Sequence, residues 1–364
     1  MSDVVISGYY GLGNSGDEAL LKSIVDDLKK IKPDITITAL SGNATLTNKM
    51  YGVKTVNRFN PFSIIKEFRS AKLLLSGGGT LIQDATSTKS LLYYLGIISL
   101  AKKMGLKVML YANGMGPLKE KNVSKVGRVL NKVDLITLRE TVSLEEIKRC
   151  KIVTPEVLVT ADPAFNLTQE NEHCVEEIFA KYCVPKDSKT VAVSVRESKN
   201  LPKDFEEKMA HILDEISRKG YLPIFIPMQI SADLDISLRI ASRMKEQSKV
   251  IDTQMQVGEM LALIQKCEIV CGMRLHMLIF ASVVNVPMAG VAYDPKIKGF
   301  MEYMNQKTYV ELGNFNEEEF KNIVFSCLQN SDTLRRELCE KSKPLREKAK
   351  QNAQLAIELL SETK

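Results

Sequence analysis

Val4-Val5-Ile6-Ser7-Gly8-Tyr9-Tyr10-Gly11-Leu12-Gly13-Asn14-Ser15-Gly16-Asp17-Glu18-Ala19 joins an apolar run to four glycines and an acidic helix start. Val4–Ser7 reads as a buried strand, and the amphipathic pattern from Asp17 to Lys30 as the helix that follows. Strand, glycine turn and helix in that order begin a parallel sheet covered by helices. Two readings fit the glycines. Either the backbone of Gly13, Asn14 and Gly16, with Asp17, approaches an anion at a helix N-terminus, or the segment is a tight turn with Asp17 starting the helix. A dinucleotide site is disfavoured, because Leu40-Ser41-Gly42 stands where an acidic residue would take the ribose.

The alternation continues outward. Strands are expected at 4–7, 35–40, 73–76, 108–112, 135–138 and 157–159, and helices at 17–30, 89–104, 124–132 and 142–149. A second series has strands at 191–195, 222–226, 249–252, 269–271 and 288–291, and helices around 204–219, 233–246, 257–265 and 275–284. Asp162-Pro163-Ala164-Phe165-Asn166 and a polar stretch through Ser188 lie between them as the expected hinge. The tail from Asn316 is charged and helix-forming. The expected fold is α/β, with two Rossmann-like doubly wound domains facing across a cleft and C-terminal helices. An N-terminal domain covers 1–168, a C-terminal domain 185–310, and the helices 311–364, packing back across the domains.

The 364 residues suffice for two cores, and the apolar share of 45% and charged share of 26% are those of a globular protein. Met1–Gly8 lacks the basic and long apolar regions of an export signal. The longest apolar run, Leu91–Ala101, is about half of the roughly 20 residues a span needs. A cytoplasmic protein is expected. Its 7 scattered cysteines then read as thiols, and Cys267, Cys271 and His276 as no metal site. A net charge of +6 is too mild for nucleic acid but suits anionic substrates or loose contact with an anionic membrane face.

Ligands of open α/β sheets sit beyond the carboxyl ends of strands, so the residues there are the candidates. After 73–76 come Gly77-Gly78-Gly79-Thr80-Leu81-Ile82-Gln83-Asp84. Three consecutive glycines suit a loop pressed against a ligand, or a close strand–helix crossing. Three other strands end in a cation: Arg139, Arg196 and Arg274. Together they read as a clamp for carboxylate and phosphate, although a surface ion pair also accounts for any one of them. Of 3 histidines, His173 lies in the polar stretch, His211 sits mid-helix, and His276 opens a helix two residues after Arg274. His276 is therefore the candidate for proton transfer.

Four segments taken together resemble the polysaccharide pyruvyl transferase family, in particular its CsaB-type members, over nearly the whole chain. They are Gly13–Ala19, Gly77–Asp84, Asp162-Pro163-Ala164-Phe165 and Gly272-Met273-Arg274-Leu275-His276. The resemblance implies a glycosyltransferase-B-like fold, phosphoenolpyruvate as donor and no other cofactor. It implies an acceptor that is a lipid-linked amino-sugar disaccharide of secondary cell wall polysaccharide assembly, usually bearing N-acetylmannosamine. The product would be a cyclic ketal that anchors surface-layer proteins. The family's Arg-x-His pair falls on Arg274 and His276, and its strand-end arginine on Arg196. Where family members carry an arginine after Tyr-Asp-Pro, this chain has Lys296 and Lys298 after Tyr293-Asp294-Pro295, a point charge in place of a fork.

On this reading Arg274 and Arg196 hold the donor's anionic groups and His276 delivers a proton or assists phosphate departure. Arg139, Gly77, Gly78, Gly79 and Thr80 line the substrate site, and Asp84 or Asp17 accepts a hydroxyl proton. No metal is required. The lipid-linked acceptor would bring peripheral contact with the inner face of the membrane. The competing readings are a sugar-nucleotide-dependent glycosyltransferase of the same fold, with Glu259 on a ribose, and a non-catalytic scaffold.

Overall fold

The computed structural model describes residues 2–85, 87–170 and 173–363. The chain forms two compact units: residues 1–167 with 344–364, and residues 168–343. Each contains one parallel sheet.

The first unit contains strands β1 (Val4–Tyr10), β2 (Ile37–Ser41), β3 (Lys54–Asn57), β4 (Leu73–Gly77), β5 (Lys107–Asn113), β6 (Leu135–Leu138) and β7 (Glu156–Val159). Helices α1 (Ser15–Ile31), α2 (Ala44–Tyr51), α3 (Pro61–Phe68), α4 (Thr88–Lys103), α5 (Glu120–Leu130) and α6 (Ser143–Arg149) connect them. The strand order is β3-β2-β1-β4-β5-β6-β7. β2 and β4 are buried throughout, as strands covered on both faces must be. One core lies between the sheet and α3, α4 and α5; another lies on the opposite face with α1 and the chain's last helical turns.

The second unit contains α7 (His173–Lys181), β8 (Lys189–Ser194), α8 (Phe205–Arg218), β9 (Tyr221–Phe225), α9 (Ile230–Arg243), β10 (Lys249–Val250), α10 (Val257–Gln265) and β11 (Cys267–Gly272). It continues with α11 (Leu275–Val283), β12 (Met288–Ala292), α12 (Pro295–Tyr303), β13 (Tyr309–Glu311), α13 (Glu317–Gln329) and the first part of α14 (Ser331–Ser361). Its order, β10-β9-β8-β11-β12-β13, repeats the plan of the first sheet.

In both sheets the order reverses beside the first strand, between β1 and β4 and between β8 and β11. Such a switch point opens a crevice at the carboxyl edge, because the flanking connections leave on opposite faces.

The α/β class follows from the alternation, but several elements lack a sequence signal. β3 buries only Val56 and α2 only Thr47, so neither carries an apolar period. Asp162–Asn166, expected as part of a hinge, is instead anchored in the first unit as a turn of 3-10 helix, Pro163–Asn166. Ser23 on α1 donates to the Pro163 carbonyl at 2.5 Å, and Asn166 donates to Asp27 at 2.7 Å. The tail divides between the two units. α13 packs on β11, β12 and α8, and α14 changes unit at Pro344. Beyond that proline, Asn352 accepts from Thr160 at 2.8 Å and donates to the Ala161 carbonyl at 3.2 Å. Among the described residues no helix is long and apolar enough to cross a membrane.

Candidate active site

At the β1/β4 switch point the glycine turn is occupied by the chain itself. Asn14 caps α1, its side chain accepting from Gly16 N–H at 3.0 Å. The buried Glu18 accepts from Gly11 N–H at 2.7 Å and from the Tyr51 hydroxyl at 3.1 Å. Burial raises the Glu18 pKa, against the pull of the Gly11, Tyr51 and Leu12 hydrogen bonds. A carboxylate of the protein thus sits where an anionic ligand was expected to meet the first part of the turn. Gly11 is required for another reason: at φ +70°, a Cβ there would fall 2.0 Å from Ser41 Oγ.

Gly77, Gly78 and Gly79 are buried. A Cβ on Gly77 would lie 2.8 Å from the Tyr10 hydroxyl, and one on Gly78 2.9 Å from Leu20 of α1. These two glycines let β4 pack closely against β1 and α1, in line with the second reading of the glycine run. Gly79 differs in facing a charged group: a Cβ there would be 3.3 Å from Asp17 Oδ1. Gly79, Asp17, Gly13 and Thr80 are therefore the candidates that remain at this edge.

Arg139 is also reassigned. It is 5% exposed and donates to Glu140 at 2.9 Å, to Asp162 at 2.7 Å and to Thr80 at 3.2 Å. Burial lowers its pKa, but the Glu140 and Asp162 carboxylates more than offset this and raise it. Two carboxylates already neutralise the guanidinium, so it fastens the Thr80 loop to Asp162 instead of clamping a substrate. Asp84, 1% exposed, accepts from Lys119 N–H at 2.8 Å and from the Asn122 amide at 2.5 Å. Both oxygens are engaged, which removes it as a proton acceptor for substrate.

The β8/β11 edge is arranged differently. Ser194 and Gly272 are paired in register, and Met273 N–H donates to the Ser194 carbonyl at 2.7 Å. Arg196 and Arg274 therefore leave adjacent strands at the same height, each two residues past the paired position. Gly272 also pairs with Gly290, so Tyr293 emerges from the next strand. Arg196 stacks on the Tyr293 ring, its guanidinium carbon 4.6 Å from the centroid, and donates to the Tyr293 hydroxyl at 2.5 Å. No carboxylate pairs with Arg196 among the described residues.

Arg274 is held from one side. Its Nε donates to Asp233 at 2.9 Å and its Nη2 to the other oxygen of the same carboxylate. Asp233, fully buried in the first turn of α9, also accepts from Gln229 N–H at 3.0 Å. This fork leaves Nη1 with no hydrogen bond among the described residues. Only tertiary packing joins these residues, which are 41 positions apart. Leu275 and His276 begin α11, and the His276 ring lies 6.4 Å from that of Phe280.

Lys298 is half-buried and paired with Glu311 at 2.8 Å, so its charge is already matched. Lys296 N–H donates to the Asp294 cap of α12 at 2.9 Å. His173 and His211 are exposed beside Glu176 and Glu317. Cys267 is buried, with its thiol pKa pushed up to about 12 by desolvation.

Sequence reasoning missed Asp233 and Glu18. Each is an acidic residue in the first turn of a helix after a strand, where helix-start chemistry alone accounts for it.

A family model described as "Polysaccharide pyruvyl transferase" matches residues 14–295, well over half of the chain. The amylovoran biosynthesis protein AmsJ of Erwinia amylovora is 22% identical over 83% of this chain and 86% of its own length. Among solved structures, the Staphylococcus aureus MnaA–UDP complex superimposes with a TM-score of 0.68 at 12% identity, over 100% of this chain and 99% of that one. Anabaena HepE with UDP-glucose gives 0.62 at 12% identity, over 99% and 98%. A glycosyltransferase of Rickettsia africae gives 0.64 at 12%, over 99% of both chains. At such identities the structures share the fold alone, two doubly wound sheets of the glycosyltransferase-B class.

Proposed function

This chain belongs to the polysaccharide pyruvyl transferase family, and from that premise we propose that it transfers pyruvate from phosphoenolpyruvate to two hydroxyls of one sugar. The observation that carries the reading is the pair of arginines leaving adjacent strands at the β8/β11 switch point. Among the described residues one has no carboxylate partner, and the other is held by Asp233 through Nε and Nη2, which leaves Nη1 without a hydrogen bond. A donor carrying both a carboxylate and a phosphate suits two fixed guanidinium groups.

In the proposed reaction His276 gives a proton to the methylene carbon of the donor, leaving a cationic centre at the neighbouring carbon. A sugar hydroxyl attacks there and loses its proton. The carbon–oxygen bond to phosphate breaks with the electron pair going to phosphate, and a second hydroxyl of the sugar closes the ring and loses its proton. The products are a cyclic ketal and inorganic phosphate. Arg196 and Arg274 offset the negative charge of the carboxylate and of the departing phosphate. Asp17, beside Gly79, is the candidate to receive a hydroxyl proton from the acceptor.

The similarity to an amylovoran biosynthesis protein supports a polysaccharide precursor as acceptor. We place N-acetylmannosamine of a lipid-linked secondary cell wall precursor first among the candidates, with surface-layer anchoring as the outcome and the inner face of the membrane as the location.

The test is phosphate release from phosphoenolpyruvate with a lipid-linked amino-sugar disaccharide, with the product weighed by mass spectrometry. Acceptor-dependent phosphate release that is lost in His276→Ala, with donor binding retained, is the expected result. Release of nucleotide from a sugar nucleotide in its place would replace this reading with a glycosyltransferase.

A further inference from the structure

One surface of the first unit is unexplained by the reaction. Between β3 and α3 the chain reads Asn57-Arg58-Phe59-Asn60-Pro61-Phe62, and two large apolar side chains point outward: Phe59 is 68% exposed and Phe62 83%. Phe62, Lys66 and Arg69 then follow at i, i+4 and i+7, on one side of the helix, and all three are exposed. Neither Lys66 nor Arg69 pairs with a carboxylate among the described residues. The only acid of α3, Glu67, is buried and held by Lys54 at 2.5 Å. The outer face of α3 is therefore aromatic at one end and basic at the other.

Against Phe59 lies Arg58, a buried cation with no carboxylate partner among the described residues. Its guanidinium carbon is 4.6 Å from the Tyr93 ring, 5.5 Å from Phe59 and Tyr94, and 5.8 Å from Tyr9. Arg58 donates to the Gly8 carbonyl at 2.8 Å and to the Tyr94 hydroxyl at 3.2 Å, while its Nε has no partner. The Phe59 ring thus rests on a guanidinium that no described carboxylate neutralises. A surface of this make-up lowers its free energy against a partner that offers both anionic groups and hydrocarbon.

We infer that the Phe59–Phe62–Lys66–Arg69 face rests on an anionic phospholipid surface. The two phenyl rings enter the headgroup–acyl boundary, and Lys66 and Arg69 meet lipid phosphates with Arg58 adding to the field. The contact is peripheral. Because β1, β2 and β3 are parallel, Phe59 emerges at the same carboxyl edge as the Gly8–Asp17 turn. On the proposed pyruvyl transfer this brings the acceptor edge to the bilayer, where a lipid-linked sugar projects. The docking itself does not depend on that reading.

The experiment is co-sedimentation of the full chain, without donor or acceptor, with vesicles of phosphatidylcholine alone and with added phosphatidylglycerol. The protein is expected on the phosphatidylglycerol vesicles, with binding weakened by salt. Lys66→Ala/Arg69→Ala should lower the affinity roughly fivefold for each cation removed. Phe59→Ser/Phe62→Ser should abolish retention at high salt. All four side chains are exposed, so melting temperatures of both variants should match the parent. Equal binding by parent and variants would overturn the inference, as would absence of the parent from the vesicles. So would concentration-dependent self-association that the phenylalanine variant abolishes, which would make the face an interface between copies.

Discussion

The carboxyl edges of the two sheets share a plan but differ in how their polar groups are matched. At the carboxyl edge of the first sheet charges are met internally: Glu18 closes the glycine turn after β1, and Arg139, after β6, lies between Glu140 and Asp162. At the β8/β11 edge Arg196 rests on an aromatic ring and Arg274 is gripped from one side only. The first arrangement uses burial and ion pairing to shape a loop. The second orients cations without exhausting them, the condition for binding an anion. A strand-end arginine thus has either task according to the carboxylates that the fold brings to it.

This contrast is broken most directly at Arg139. Arg139→Ala would leave Asp162 and Glu140 without their cation, and a loss of about 3–5 kcal/mol of stability is expected. Denaturant unfolding measures it; a loss below about 1 kcal/mol would show that the network is not structural. At the other edge the effect should appear in rate. Arg274→Lys cannot reproduce the fork on Asp233, and kcat/KM for phosphoenolpyruvate should fall about 100-fold with little change in melting temperature. A variant with parental kcat/KM would remove Arg274 from the clamp.

Asp233→Asn sharpens the comparison further. Arg274 would keep its place with weaker orientation, so the donor KM should rise about tenfold while kcat changes less. Rescue by Asp233→Glu, measured in the same assay, separates positioning from packing.

The smallest effect concerns the tether behind the first edge. Burial pushes the Asp27 carboxyl up to about 6, against the hydrogen bond from Asn166 that lowers it. A raised folded pKa means the native state holds the proton more tightly than the unfolded chain. Stability is then lost as the pH rises from near 4 through 6. Asp27→Asn should therefore be more stable than the parent at pH 7, by about 1–2 kcal/mol, with the gap closing below pH ~4. Melting curves at the two pH values check the sign.

The fold class was legible because buried parallel strands read as apolar runs, and this chain punctuates them with glycine and helix-start residues. Val4–Ser7 into Asp17 shows both signals, and β11 into Arg274 shows the first. β3 and α2 were not legible, since one buried residue each makes no period. At Gly77 and Gly78 a ligand loop and a close strand–helix crossing stay open in the sequence, which records the missing side chain but not what fills its space. Tyr10 and Leu20 fill it.

By itself the sequence determined the alternation of strands and helices, the strand-end placement of Arg139, Arg196, Arg274 and His276, and the resemblance to a family. These are local properties, written in neighbouring residues and their spacing. Only the tertiary structure decided which of those arginines is neutralised, that Asp233 orients Arg274, and that Arg58, which no described carboxylate neutralises, lies against the exposed Phe59 ring. Charge pairing depends on distances between residues far apart in the chain, and those distances exist only once the sheet has set its strand order.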